Sequence, residues 1–316
     1  DYHLLKKYKT WIIVISIILL VLVFVPGLGM ESYGAKRWIS ILGFSIQPSE
    51  IAKFALVIFI AGYMSDNHDK VKTFKGLLPV LCVAGVICVL TMLEPSMSVT
   101  MCIGFVTLFM LIIGGMSKKH TLMFSIPAAA VVPLLVVLEP YRLRRLMAFI
   151  DPWASPQGEG FQLIQSLYSL GSGGLFGVGL FNSRQKYLFL PFAESDFILS
   201  IIGEEIGFVG LIVLMSVFLV LIYSLIKIAL NAKDRFGAML VAGVAFIIGV
   251  QTLLNIAVVT GSIPPTGLPL PFISSGGTSV TVFMAGIGIC LNVLRQSQGQ
   301  DYKVIKAPRF KKAAKN

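Results

Sequence analysis

Eight stretches of this chain each run for about the 20 mostly apolar residues that a helix needs to cross a lipid bilayer. They are 10–28, 49–65, 76–94, 98–116, 121–138, 197–227, 236–259 and 278–294. Hydrocarbon offers no partner to a backbone N–H or C=O, so a spanning segment must close its hydrogen bonds on itself, as a helix does. With 13% charged and 56% hydrophobic residues, the chain carries about half the charged fraction of a soluble domain. The pattern predicts an all-α fold, a polytopic membrane helix bundle of about eight transmembrane helices forming one domain. The second run is short, and the third and fourth nearly meet at Glu94-Pro95.

One polar interruption stands apart from the rest. Residues 139–196 separate the fifth and sixth runs and keep Trp153, Tyr168 and Tyr187. A connection this long is functional or disordered, and its aromatic content argues for order. It ends at Asp196, at the mouth of the sixth run, and the remaining chain reads as scaffolding for that carboxylate.

Lysine and arginine placement sets the orientation. With the N-terminus in the cytoplasm, 18 of the 26 basic residues fall on that side, in the short loops and in the chain end from Arg295 onward. Segment 296–316 reads as a basic, disordered cytoplasmic tail. Segments 29–48, 139–196 and 260–277 are then extracytoplasmic. They hold Lys36, Arg37, Arg142, Arg144, Arg145, Arg184 and Lys186, with Lys53 just inside the second run. These cations either snorkel to headgroups or meet a lipid-linked phosphate, which suits arginine's two-pronged contacts. The net charge of +11 is a topology signal rather than a nucleic-acid footprint, because no basic stripe lies on a soluble face. Cys82, Cys88, Cys102 and Cys290 sit in apolar runs without CxxC spacing, so neither a disulfide framework nor a zinc site is expected.

Ionisable groups within spanning helices face one another or a cavity. Glu50 and Lys53 share a helix face, as a structural ion pair or as lining of a polar cavity. Glu204 and Glu205, Glu94, and the pair Gln251 and Asn255 extend the outline of a cavity opening outward. Phe161 to Leu170 predicts a short amphipathic helix at the interface, with Gln162, Gln165, Ser166 and Ser169 on its polar face. The glycines of 171–179 read as flexible packing of backbone against a helix or lipid, rather than as a phosphate-cradling loop, since no strand precedes them. In 260–277, four prolines exclude a regular helix. Ser274 and Ser275 before the last run read either as an ordinary cap or as an anion site.

Several long motifs resemble one known family: GAKRWI (34–39), FSIQPSEIAKF (44–54), 149–180, LPFAESDFILSIIGEEIG (190–207) and PPTGLPLPFISSGGTS (264–279). They are similar to the SEDS proteins, which include FtsW, RodA and SpoVE, and the likeness spans about residues 1–295. Asn182 to Lys186 resembles the FtsW/SpoVE branch. Asp1-Tyr2-His3 resembles the segment after the second helix of a ten-helix architecture, so two helices are expected ahead of residue 1.

The resemblance implies a peptidoglycan glycosyltransferase that polymerises lipid II on undecaprenyl-diphosphate-linked glycan, outside the bacterial cytoplasmic membrane, in division or sporulation. Asp196 matches the family's catalytic aspartate, and Arg37, Glu50 and Lys53 match positions lining its cavity. A substrate site of Arg37, Lys36, Glu50, Lys53, Arg145, Gln162, Gln165, Lys186, Ser274 and Ser275 around Asp196 is expected. Two departures stand out: Phe192 replaces a family Glu, and Glu94-Pro95-Ser96 replaces Gln-Pro-Asp. The chemistry needs one general base and positive charge on the diphosphate, from Arg and Lys or a divalent cation such as Mg²⁺ or Mn²⁺. Implied partners are a class B penicillin-binding transpeptidase and other divisome or elongasome membrane proteins. A lipid II flippase is the rival reading, because translocation also uses a polar cavity within a bundle.

Overall fold

A computed structural model describes residues 1–32, 35–41, 44–188, 190 and 194–299. Eight helices answer the eight apolar runs: α1 (His3–Leu22), α2 (Pro48–Asp66), α3 (Phe74–Leu93), α4 (Met97–Ile113), α5 (Lys118–Val137), α9 (Ile198–Leu230), α10 (Arg235–Val259) and α11 (Gly277–Ser297). Six of these are long and apolar enough to cross a membrane; α4 is shorter at 17 residues, and α1 carries Lys6, Lys7 and Lys9. Both pack within the bundle, α1 along α2 and α4 against α2, α3 and α10. The first run was expected to reach residue 28. Instead α1 stops at Leu22, because Pro26 has no N–H to continue a helix and Gly27 turns with φ 87°.

The centre is α2. Between Pro48 and Met64 almost every side chain is buried, Glu50 and Lys53 included. Helix α10 is the second core element, and α5 lies outside with no buried residue described. A helix apolar on every side can do either in lipid. One set of helix starts is capped by side chains: Thr73 accepts from the Gly76 N–H at 3.2 Å, and Asp234 from the Gly237 N–H at 3.1 Å. At that same end Lys6 and Lys9 pair with Asp66, and Arg235 donates to the Gly114 carbonyl.

Between α1 and α2 the structure adds a feature that the sequence reading left as loop. Strands β1 (Gly29–Ser32), β2 (Ala35–Ile41) and β3 (Phe44–Ile46) form an antiparallel sheet in that order. The 139–196 stretch is likewise built, from α6 (Pro140–Ile150), α7 (Phe161–Gly173) and the single turn α8 (Gln185–Leu188).

Helix α7 begins where the amphipathic pattern puts it, and its two serines turn into the protein. Ser166 and Ser169 are buried, while Leu167 and Tyr168 are exposed. The Ser166 hydroxyl lies 2.7 Å from that of Ser200 and donates to the Val259 carbonyl, and Ser169 donates to the Ser200 carbonyl. Leu163 and Ile164 are buried beside the serines, so the inward face of α7 is mixed, and interhelical hydrogen bonds satisfy its hydroxyls. Helix α9 is broken at Gly207 (φ 68°), and the glycine segment after α7 repairs the break. Val178 and Gly179 N–H donate to the carbonyls of Glu204 and Glu205, while Phe208 and Val209 N–H donate to those of Gly174 and Leu175. Irregular backbone is tolerated at membrane depth only when protein satisfies it in this way.

A Cβ at Gly207 would lie 2.3 Å from the Gly177 nitrogen, in a backbone region that L-residues avoid. Gly207→Ala is therefore expected to destabilise the protein by about 1–3 kcal/mol or more, seen as a lower melting temperature in detergent. An unchanged melting temperature would contradict this account of the break.

Candidate active site

The carboxylate at the head of α9 is held by its own backbone. Three consecutive carbonyls are gripped: Glu194 accepts from the Ser275 N–H at 2.9 Å, Ser195 from the Ser274 hydroxyl at 2.7 Å, and Asp196 from the Asn255 amide at 2.8 Å. The grip comes from the proline-rich segment before α11 and from α10. Prolines supply no N–H, so this segment is fixed through its carbonyls. Asn255 also donates to Leu268, Gln251 donates to Pro269 at 2.9 Å, and Ser98 donates to Thr266. Gly267, at φ 71°, brings its backbone against the carboxylate; a Cβ there would lie 3.4 Å from Asp196 Oδ2. The cap position of α9 is Phe197, without a side-chain cap.

Below this segment runs a closed polar ladder. Lys53 Nζ donates to Glu50 Oε1 and to Gln251 Oε1, both at 2.7 Å, and Ser279 reaches Glu50 Oε2 at 3.5 Å. Glu50, Lys53 and Gln251 are all fully buried. The structure thus commits Glu50 and Lys53 to each other and to α10. Through Gln251 they buttress Pro269, two residues from Gly267.

Two arginines converge on Asp196 from different elements. Arg37 on β2 donates from Nε to the Glu94 carbonyl at 3.1 Å and from Nη2 to the Pro95 carbonyl at 2.6 Å. Those carbonyls terminate α3, where the helix dipole favours a cation. Arg145 on α6 donates to the Pro265 carbonyl at 3.5 Å and lies 4.7 Å over the Tyr141 ring. Burial pushes the Asp196 carboxyl up to about 6, against the pull of Arg145 and then Arg37. Burial likewise holds the Arg37 guanidinium below its usual range, with Tyr141 opposing, Arg145 adding, and Asp196 and Glu94 opposing. A carboxylate with a pKa near working pH beside two fixed cations is suited to proton abstraction next to an anion.

The other expected site residues do not face the Asp196 carboxyl as substrate ligands in this arrangement, though Ser274 and Ser275 hold the backbone beside it. Lys36 is exposed on β2, and the β1–β2 register shifts between its pairing with Glu31 and that of Trp38 with Met30. Lys186 pairs with Glu205 at 2.6 Å and lies over the Phe181 and Tyr187 rings. Gln162 and Gln165 are half-buried on α7, and among the described residues no hydrogen bond joins them to Asp196. Ser274 clamps Ser195 and accepts from the Leu270 N–H at 2.8 Å, while Ser275 is exposed and ties Glu194 through its backbone. Glu204 does not line the expected outward cavity. It is a buried hub accepting from the Ser169 and Ser183 hydroxyls and the Arg184 and Gln185 N–H groups. Phe192 lies outside the described residues.

Sequence reading missed Gly267 and Tyr141 as members of the site. Tyr141 had a signal in retrospect, four residues before Arg145 and so on its helix face; Gly267 had none. Among the described residues no three His, Cys, Asp or Glu side chains form a metal-ligating group.

Known proteins resemble the chain in family, in sequence and in structure. The FtsW/RodA/SpoVE model, described as "Cell cycle protein", matches residues 1–299. The chain is 41% identical over 300 residues to a "Probable peptidoglycan glycosyltransferase FtsW" of Geobacter sp. (strain M18), covering 95% of this chain and 82% of that protein. It is 38% identical over 299 residues to "Stage V sporulation protein E" of Bacillus subtilis (strain 168), covering 94% and 82%. Among solved structures, one titled "Structural coordination of polymerization and crosslinking by a peptidoglycan synthase complex" superposes with TM-score 0.78 at 30% identity, over 95% of this chain and 84% of that one. The rod shape determining protein RodA of Thermus thermophilus shares the fold, with TM-score 0.68 at 24% identity over 96% and 81%.

Proposed function

The chain belongs to the FtsW/RodA/SpoVE family of cell cycle proteins, and on that premise we propose that it is a peptidoglycan glycosyltransferase that polymerises lipid II with Asp196 as general base. Relatives named for that activity share about two fifths of their residues with it over most of its length. The observation carrying the mechanism is the placement of the clamped Asp196 at the head of α9 beside Arg145 and Arg37, where burial pushes its carboxyl up to about 6.

The acceptor sugar hydroxyl loses its proton to Asp196 as its oxygen forms a bond to the anomeric carbon of the donor. The bond from that carbon to the phosphate oxygen breaks on the opposite face, and undecaprenyl diphosphate leaves with the electron pair. Configuration inverts in this single displacement. The leaving group needs no proton, because Arg37 and Arg145 meet its charge. One carboxyl therefore suffices, unlike hydrolytic sugar chemistry with its pair. A divalent ion such as Mg²⁺ would be held by the substrate diphosphate with one or two carboxylates and would add positive charge to the leaving group.

The basic ends of α1, α3, α5 and α10, opposite Asp196, support a cytoplasmic location for that face and an outer location for the site in the plasma membrane. The sealed Glu50–Lys53–Gln251 ladder favours surface chemistry over a flippase path, which would need an open route through both leaflets. A class B transpeptidase and its associated division or elongation proteins are the proposed partners, in keeping with the synthase complex whose fold this chain shares.

The deciding assay offers purified lipid II to the protein alone and with its transpeptidase, and measures headgroup exposure in sealed vesicles in parallel. Glycan polymer without headgroup flipping is expected. Flipping without polymer would overturn the proposal.

A further inference from the structure

Glu94 ends α3 beside this site, and nothing in the mechanism above uses its side chain. The residue is 0% exposed, and neither carboxyl oxygen has a hydrogen-bond partner among the described residues. A buried carboxyl left wholly unpaired is costly. Its charged neighbour is Arg37, whose guanidinium is spent on the main-chain carbonyls of Glu94 and Pro95 and not on the Glu94 carboxyl. Arg37 in turn faces Tyr141 and Arg145 of α6 and Asp196 at the head of α9. The same cation is thus shared between a proposed diphosphate site and a carboxyl with no other partner.

We infer that Glu94 is a positioning residue that acts through Arg37: as the neutral acid it leaves the guanidinium to the substrate diphosphate, and as the carboxylate it takes the guanidinium for itself. This rests on the proposed diphosphate role of Arg37. Burial pushes the Glu94 carboxyl up to about 8, with Arg37 opposing, so the neutral form prevails at neutral pH and is lost as pH rises through that value. A purely structural carboxyl would not move the affinity of the site for anions.

The test is binding of inorganic pyrophosphate to the purified full chain in detergent, by calorimetry, between about pH 7 and pH 9.5. Glu94→Gln keeps the shape and cannot ionise. The wild type is expected to weaken on alkalinisation by about tenfold more than Glu94→Gln, as one opposite charge beside a cation would cause. The probe's own titration is common to both proteins and cancels. Identical pH dependence in wild type and variant would overturn the inference alone. No pyrophosphate binding by the wild type at pH 7 would overturn the diphosphate reading and this inference with it. Melting temperatures of the two proteins serve as the folding control, and Glu94→Leu, neutral at every pH, repeats the comparison where the glutamine variant folds poorly.

Discussion

Asp196→Asn is expected to abolish polymerisation of lipid II while the protein remains folded. The asparagine keeps the size of the side chain and cannot accept the acceptor's proton. A positioned base contributes about 10²–10⁴-fold to such a step, so turnover should fall by that much. Stability should move the other way or not at all. The ionised carboxyl is disfavoured where it sits, since burial raises it to about 6. Folding therefore loses stability as pH rises through that value, and the asparagine variant lacks this loss. The three main-chain clamps from Asn255, Ser274 and Ser275 do not involve the side chain and survive the exchange. Single-turnover product formation beside a melting curve separates the two outcomes. An Asp196→Asn protein that polymerises at the wild-type rate would remove the base from the mechanism.

Arg37→Ala is the second large effect. The guanidinium is aimed by two carbonyls at the end of α3, so its remaining N–H groups are set before substrate arrives. A pre-positioned donor to developing charge is worth about 10²–10³ in rate, and kcat/KM should fall within that range. Arg37→Lys should recover part of it, because a lysine supplies the charge without the planar fork. Arg145→Ala should cost less, since a 3.5 Å contact to Pro265 and the Tyr141 ring hold that side chain more loosely. Equal activity of Arg37→Ala and wild type, measured with lipid II below saturation, would contradict the role of the arginine.

The membrane helices were legible because a bilayer imposes a length and an apolar composition that a single sequence displays. Asp196 at the mouth of the sixth run was legible for the same reason, as the last polar residue before an apolar helix. The partners of Asp196 were legible only in type. Arg37 lies on a strand and Arg145 on a helix more than a hundred positions away, and only the folded chain says which of eight displaced cations meet one carboxyl. Lys186 carried the same signal as Arg145, yet Glu205 claims it. The pattern of α7 showed two faces but not which one turns inward, because it is symmetric between water outside and protein inside. Which side wins depends on what surrounds the helix. The break at Gly207 was not legible, since the apolar run continues on both sides of Glu204 and Glu205 while the backbone alone changes course.

Asp196 is proposed to work as a base whose environment has tuned it upward. The pH dependence of kcat/KM for lipid II polymerisation reads that directly. The carboxylate is the active form, so the rate should fall about tenfold per pH unit below an inflection near 6 and level off above it, until Glu94 ionises. A rate that stays level down to about pH 4.5, where an ordinary aspartate is still charged, would contradict it.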